Sequence, residues 1–116
     1  MPAKKLDRLK TGIIGLDNML NGGLIKGTST LIVGGPGTGK TTFTLHFLKY
    51  GITEHGLYIS LQNSPNVILK TIHEWFSDYI KQMIKKEILT LKHLNNLGKD
   101  ALDLLDKTKA KKVVID

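Results

Sequence analysis

The spacing of apolar positions alternates between two kinds along this 116-residue chain. Three runs are apolar without a polar partner at every second place: Leu31-Ile32-Val33 at the end of 28–33, Leu57-Tyr58-Ile59-Ser60-Leu61, and Val113-Val114-Ile115. Short continuous runs of this kind predict strands buried on both faces between helix layers. Elsewhere the spacing lengthens to three and four. Ile14, Leu16, Met19 and Leu20 predict a short amphipathic helix. Asn21-Gly22-Gly23 ends it, because glycine accepts the left-handed conformation a helix end requires. Phe43 and Phe47 place one face of a helix over 41–50 toward a sheet, with Gly51 as its stop. Ser64-Pro65 has the form of a helix start. Ile68, Leu69, Ile72, Trp75, Phe76 and Tyr79 then share a face, with Ser77 opening a further helix toward Lys86. Residues 88–91 read as a short strand, and 99–109 as a helix with Leu102 and Leu105 inward. Residues 112–115 read as the last strand. Strands alternating with helices predict an α/β fold, a parallel sheet with flanking helices, in one domain over 1–116. Residues 1–10 are charged and expected to be loosely ordered.

Composition narrows the function classes. Apolar residues make up 41% of the chain, enough to bury a core. The absence of cysteine removes disulfides and thiolate metal sites. No apolar run reaches the roughly 18 residues of a membrane span, and the N-terminus lacks the apolar stretch of a signal peptide. A cytoplasmic protein without membrane association is expected. The net charge of +7 raises the question of nucleic acid. The lysines are spread over 4–10 and 81–112, however, and no aromatic interleaving accompanies Lys81, Lys85 and Lys86. A nucleic-acid partner therefore has no support here. His46, His55, His73 and His93 have no metal-ligand spacing and read as surface or helix residues. Trp75, Phe76 and Tyr79 read as core or subunit-contact aromatics.

The chemistry sits between the first apolar run and the helix after it. Gly34, Gly35, Pro36, Gly37, Thr38, Gly39, Lys40 and Thr41, followed by Thr42, fit the phosphate-loop pattern G-x-x-x-x-G-K-[ST] in full. The glycines let the backbone curl until several N–H groups point at phosphate oxygens. The following helix presents its positive end to the same anion. Lys40 is placed to reach the β- and γ-phosphates, and the Thr41 hydroxyl to ligate Mg²⁺. The expected ligand is ATP with Mg²⁺. The last run leads to Asp116, the shape of a Walker B strand. An acid at the C-terminal end of a parallel strand can hold Mg²⁺, usually through water.

Thr11-Gly12-Ile13-Ile14-Gly15-Leu16-Asp17, Gly22-Gly23, Lys26-Gly27 and the 34–41 loop together resemble the opening of KaiC-like members of the RecA superfamily. Archaeal RadA paralogues and the gas-vesicle regulator GvpD share it. The likeness continues through Leu57-Tyr58-Ile59-Ser60-Leu61 and Ser64-Pro65 to Val113-Val114-Ile115-Asp116, nearly the whole chain. It implies a RecA-type P-loop ATPase core, Mg²⁺ dependence, and ATP bound between like subunits of a ring or filament. Two departures stand out. The family carries two adjacent glutamates just before the Ser-Pro, one of them taken to polarise the attacking water; here the positions are Gln62 and Asn63. An amide can orient water but cannot act as a carboxylate base. The superfamily order also places a later strand between the phosphate-loop strand and the Asp116 strand. The chain is therefore expected to be the N-terminal part of a longer domain, cut after the Walker B strand. Three functions follow: an ATPase module, a nucleotide-sensing regulatory protein that hydrolyses little, or a recombinase-like DNA-binding ATPase.

Overall fold

The computed structural model describes residues 6–35, 39–50 and 55–116. The chain folds as two compact units, residues 1–50 and 51–116.

In the first unit, β1 (Arg8–Leu9) pairs antiparallel with β2 (Leu24–Ile25), Arg8 opposite Ile25 and Leu9 opposite Leu24. Residues 8 and 9 of the tail expected to be loose are thus fixed in a ribbon; residues 1–5 lie outside the described residues. The Arg8 guanidinium donates to the carbonyls of Leu20 and Gly23, both at 3.1 Å, and ties the ribbon to the turn after α1 (Ile14–Met19). Gly23 has φ +123°, and a Cβ there would come within 2.1 Å of the Leu9 carbonyl oxygen. Only glycine fits that approach of ribbon to turn. The short helix exists as the spacing predicts, but its apolar stripe is only partly covered, with Leu16 and Leu20 half-buried. Ile14 and Met19 are exposed, and the buried residue of α1 is Asp17. The α2 helix (Lys40–Lys49) closes the unit. Its fully buried side chains are Leu45 and Leu48, while Phe43 and Phe47 are half-buried.

The strand expected over 28–33 is a correction. Residues 28–35 carry no regular secondary structure, and Leu31 and Val33 are 87% and 84% exposed. An apolar run becomes a strand only by exchanging backbone hydrogen bonds with a neighbour. Among the described residues no strand pairs with this segment.

The second unit is a parallel α/β layer. β3 (Gly56–Ser60) lies between β4 (Leu89–His93) and β5 (Lys112–Ile115), giving the order β4-β3-β5. Gly56 stands opposite Leu89 and Lys112, and Ile59 opposite Lys92 and Ile115. Every residue of β3 is buried, as a central strand covered on both faces requires. The crossover from β3 to β4 runs one way across the sheet, and that from β4 to β5 runs back. Right-handed connections therefore put their helices on opposite faces. The first carries α3 (Pro65–Lys70) and α4 (Glu74–Lys85); the second carries α5 (Lys99–Thr108). Leu57, Ile59, Leu94 and Ala101 form one core cluster, joined by Leu61, Leu104, Leu105, Ala110 and Val113.

The helix start at Ser64-Pro65 stands where the sequence puts it: the Ser64 hydroxyl accepts from the Val67 N–H, with Pro65 in the first turn. The break falls earlier than Ser77. Residues 71–73 interrupt the helix, His73 caps α4 by accepting from the Trp75 N–H at 3.4 Å, and Ser77 is buried inside that helix. The shared face divides accordingly. Phe76, Ile80 and Met83 go inward, while Trp75 and Tyr79 remain 60% and 44% exposed. In α5, Ala101 is buried and Leu102 is exposed, again against the spacing-based expectation. The helix presents its 101–104–105 stripe to the sheet, and Leu102 falls about 100° from Ala101 around the axis.

Candidate functional site

The phosphate-loop motif runs into a helix whose first turn carries no acidic residue. Gly39 caps α2 with φ +88°, a left-handed conformation natural to glycine, and its carbonyl accepts from the Phe43 N–H at 2.9 Å. Among the described residues no side chain caps this helix end, and no acidic residue occupies its first turn. The first N–H groups of any α-helix have no intrahelical partner. α3 and α4 meet part of that need with Ser64 and His73, whereas α2, like α1 and α5, has no side-chain cap among the described residues. The helix dipole adds a partial positive charge at the same end. Lys40, exposed, folds its ammonium back onto the Gly34 carbonyl. The Thr44 hydroxyl donates to the carbonyls of Lys40 and Thr41 and stiffens the first turn. Thr41 and Thr42 are half-buried. Pro36, Gly37 and Thr38 lie outside the described residues. A phosphate is the anion this arrangement suits: N–H groups, a dipole and one ammonium, with no carboxylate to repel it.

The second unit carries the other expected residues. Asp116 follows the last residue of β5. Its N–H donates to the Ile59 carbonyl at 2.9 Å, and its own carbonyl accepts from the Leu61 N–H at 2.7 Å, so the ladder with β3 continues through it. Its exposed carboxylate accepts a hydrogen bond from the Tyr58 hydroxyl, 2.6 Å from Oδ2. Gln62 and Asn63 sit in the turn just past β3, both exposed. The Asn63 N–H donates to the buried Ser60 hydroxyl at 3.0 Å and holds that turn to the strand end. Asp116 and the Gln62–Asn63 turn are thus fixed at the C-terminal ends of neighbouring parallel strands, where ligands of open α/β sheets bind.

Among the described residues no group of three His, Cys, Asp or Glu is placed to ligate a metal ion. His55 and Thr90 hydrogen-bond at 2.7 Å across β3 and β4. Burial and the neighbouring Lys49 charge both push His46 below the usual imidazole range. For Mg²⁺ this poverty of ligands is no obstacle. That ion keeps most of its waters and takes one or two protein oxygens beside nucleotide phosphates. A threonine hydroxyl and a carboxylate are the right hard donors.

Sequence reasoning used Thr11, Gly12 and Asp17 as family markers and missed what they do. The buried Asp17 carboxylate accepts from the Thr11 N–H at 2.8 Å, the Thr11 hydroxyl at 2.8 Å and the Gly12 N–H at 3.2 Å. Burial raises its pKa, but those donors and the Lys10 charge outweigh burial and hold the carboxyl below the ordinary range. The Gly22 N–H donates to the Asp17 carbonyl at 2.7 Å, so one residue ties the loop before α1 to the turn after it. Thr-Gly with Asp six residues after the Thr was the available signal. Tyr58 was read only as an apolar strand position.

Comparison with known proteins agrees with this assembly. The family model described as "ATPase: KaiC" matches residues 9–111. The circadian clock oscillator protein KaiC of Prochlorococcus marinus (strain MIT 9313) is 42% identical over 88 residues, covering 73% of this chain and 17% of that protein. A UPF0273 protein of Thermotoga maritima is 32% identical over 134 residues, covering 96% of this chain and 55% of its own length. The crystal structure of a KaiC-like protein from Pyrococcus horikoshii OT3 superposes with a TM-score of 0.78 at 26% identity, covering 97% of this chain and 56% of that one. The chain therefore spans about half of the Thermotoga and Pyrococcus relatives, and far less of KaiC. The phosphate-loop helix, the parallel layer and these matches agree: the chain belongs to the KaiC ATPase family and is a KaiC-like domain of the RecA superfamily.

Proposed function

We propose that this chain binds Mg-ATP through residues 34–42 as a cytoplasmic KaiC-like ATPase module, and that it hydrolyses the nucleotide slowly. The observation that carries the binding is the α2 N-terminus, which among the described residues has neither a side-chain cap nor an acid in its first turn and which carries Lys40. In this reading the phosphates take the first-turn N–H groups, and Lys40 exchanges the Gly34 carbonyl for the β- and γ-phosphates. Thr41 and Asp116 are the oxygen donors for Mg²⁺, Asp116 through water. Slow hydrolysis follows from Gln62 and Asn63. In this reading both orient water and neither can take its proton; general-base help contributes about 10²–10⁴-fold. Assembly with further copies into a ring or filament belongs to the same proposal.

Titration with a fluorescent ATP analogue tests the binding. Lys40→Ala should weaken it roughly ten- to hundredfold, the weight of a hydrogen bond to a charged group. Equal affinity in folded wild type and variant would refute the assignment. Single-turnover assays test the second half. Gln62→Glu or Asn63→Glu should raise the rate; brisk wild-type hydrolysis, unchanged in Gln62→Ala and Asn63→Ala, would mean that the base lies elsewhere.

The amide pair favours one further reading: a nucleotide sensor whose ATP-bound form recruits a partner, with turnover only resetting it. Nucleotide-dependent assembly that survives in a variant with no measurable hydrolysis would distinguish it from a working ATPase.

A further inference from the structure

We propose that Tyr58 is a positioning residue for the metal-binding role of Asp116: its hydroxyl fixes the carboxylate so that one oxygen is left for the metal's water shell. The inference rests on the reading of Asp116 as the Mg²⁺ acid.

The sheet register is the first argument. Tyr58 stands opposite Val114 in the β3–β5 ladder, and Asp116 is two residues beyond Val114. Side chains two apart on a strand share a face. Tyr58 and Asp116 are therefore diagonal neighbours on one face of adjacent strands, within reach of a long side chain. The register puts the two side chains within reach of each other.

The second argument is the asymmetry of burial. Tyr58 is fully buried and held by a strand bonded on both sides, whereas Asp116 is exposed. A phenylalanine would fill the same space in the core, so packing alone does not call for the hydroxyl. A buried tyrosine hydroxyl generally finds a partner. Here that partner is a carboxylate at 2.6 Å, the length of a charge-assisted O–H···O⁻ bond. The buried partner orients the exposed one.

The third argument is what remains of the carboxylate. Both backbone groups of Asp116 are used by Ile59 and Leu61, and Oδ2 is engaged by Tyr58. Among the described residues Oδ1 has no hydrogen-bond partner. The main chain and one oxygen are held, and the residue is exposed at the C-terminal edge of the sheet. That is the requirement for accepting hydrogen bonds from metal-bound water, where orientation sets the strength. Groups that orient a metal's ligands in this way contribute to its affinity although they never touch it.

The test is a double-mutant cycle on the full-length protein. Mg²⁺ is titrated while binding of a fluorescent ATP analogue is read, in wild type, Tyr58→Phe, Asp116→Asn and the double variant. Tyr58→Phe should raise the half-saturating Mg²⁺ concentration about tenfold, the low end for an outer partner of a metal ligand. The loss should be confined to the Mg²⁺-dependent part of binding. In the Asp116→Asn background Tyr58→Phe should add nothing. Equal shifts in both backgrounds, or an equal loss in EDTA, would overturn the proposal. If Asp116→Asn moves the Mg²⁺ dependence and Tyr58→Phe does not, the positioning role fails alone. If Asp116→Asn moves nothing, the reading of Asp116 as the Mg²⁺ acid fails and takes this inference with it. Hydrogen exchange at the Leu61 and Asp116 amides supplies the structural control. Protection retained in Tyr58→Phe is expected; its loss would make the hydroxyl a contact that holds the ladder together, and would overturn the positioning role.

Discussion

Leu31-Ile32-Val33 leads into the phosphate loop, and Val113-Val114-Ile115 leads to Asp116. As sequence the two triplets are nearly interchangeable: apolar, β-branched in two or three places, and followed by the residues that carry the chemistry. As structure they differ. The second is a strand, paired residue by residue with β3, with Val114 buried. Among the described residues the first has no strand partner, and it exposes Leu31 and Val33. Propensity is common to both, so it cannot be the cause. The difference lies in the neighbour. β3 offers β5 a complete row of backbone donors and acceptors, while among the described residues nothing offers such a row to 28–33. The two units accordingly rely on different devices. The second is organised by a sheet and its apolar core. The first is organised by polar locks, Asp17 on Thr11 and Gly12, and Arg8 on two carbonyls.

The largest expected effect is at the paired triplet. Val114→Asp would place an unpaired carboxylate in the core, and should cost more than about 3 kcal/mol in urea unfolding of the second unit. A cost near zero would mean that β5 is not held as described. Next comes the polar lock. Asp17→Ala leaves the Thr11 and Gly12 N–H groups without their acceptor and should cost about 1–3 kcal/mol. Its pH dependence has a definite sign. The folded-state pKa of Asp17 lies below the unfolded value, near 3.9, so its stabilisation is present above that value. It is lost as pH falls through the folded-state pKa. The stability gap between wild type and Asp17→Asn should therefore narrow on acidification; a gap that widens would refute the lock.

The smallest expected effect is the most pointed. Leu31→Asp should change stability by no more than about 0.5 kcal/mol, the usual range for an exposed site. Amides 31–33 should exchange fast and amides 113–115 slowly. A large cost at Leu31, or slow exchange at 31–33, would show that the first triplet pairs as a strand in solution and would erase the difference between the regions.

Local signals determined a good deal. The phosphate loop is legible because each residue type in 34–41 has a local reason. The Ser64-Pro65 helix start is legible because a cap bonds within its own first turn. The runs at 56–60 and 112–115 are legible because they are apolar on both faces, and the α/β class follows from their alternation with helices. The family, too, was readable, because Thr11-Gly12 and Gly15-Leu16-Asp17 stand at fixed places before the loop. Tertiary structure decided what depends on distant partners. Among the described residues it left 28–33 without a strand; it turned Ile14 and Met19 outward and buried Asp17 on α1, and it turned Leu102 outward and buried Ala101 on α5. It moved the helix break to 71–73. It also brought the Tyr58 hydroxyl, 58 positions away in sequence, to the Asp116 carboxylate. Spacing within a segment reports which side chains share a face. Only the assembled chain decides which face is covered, and whether a strand has a neighbour to complete its hydrogen bonds.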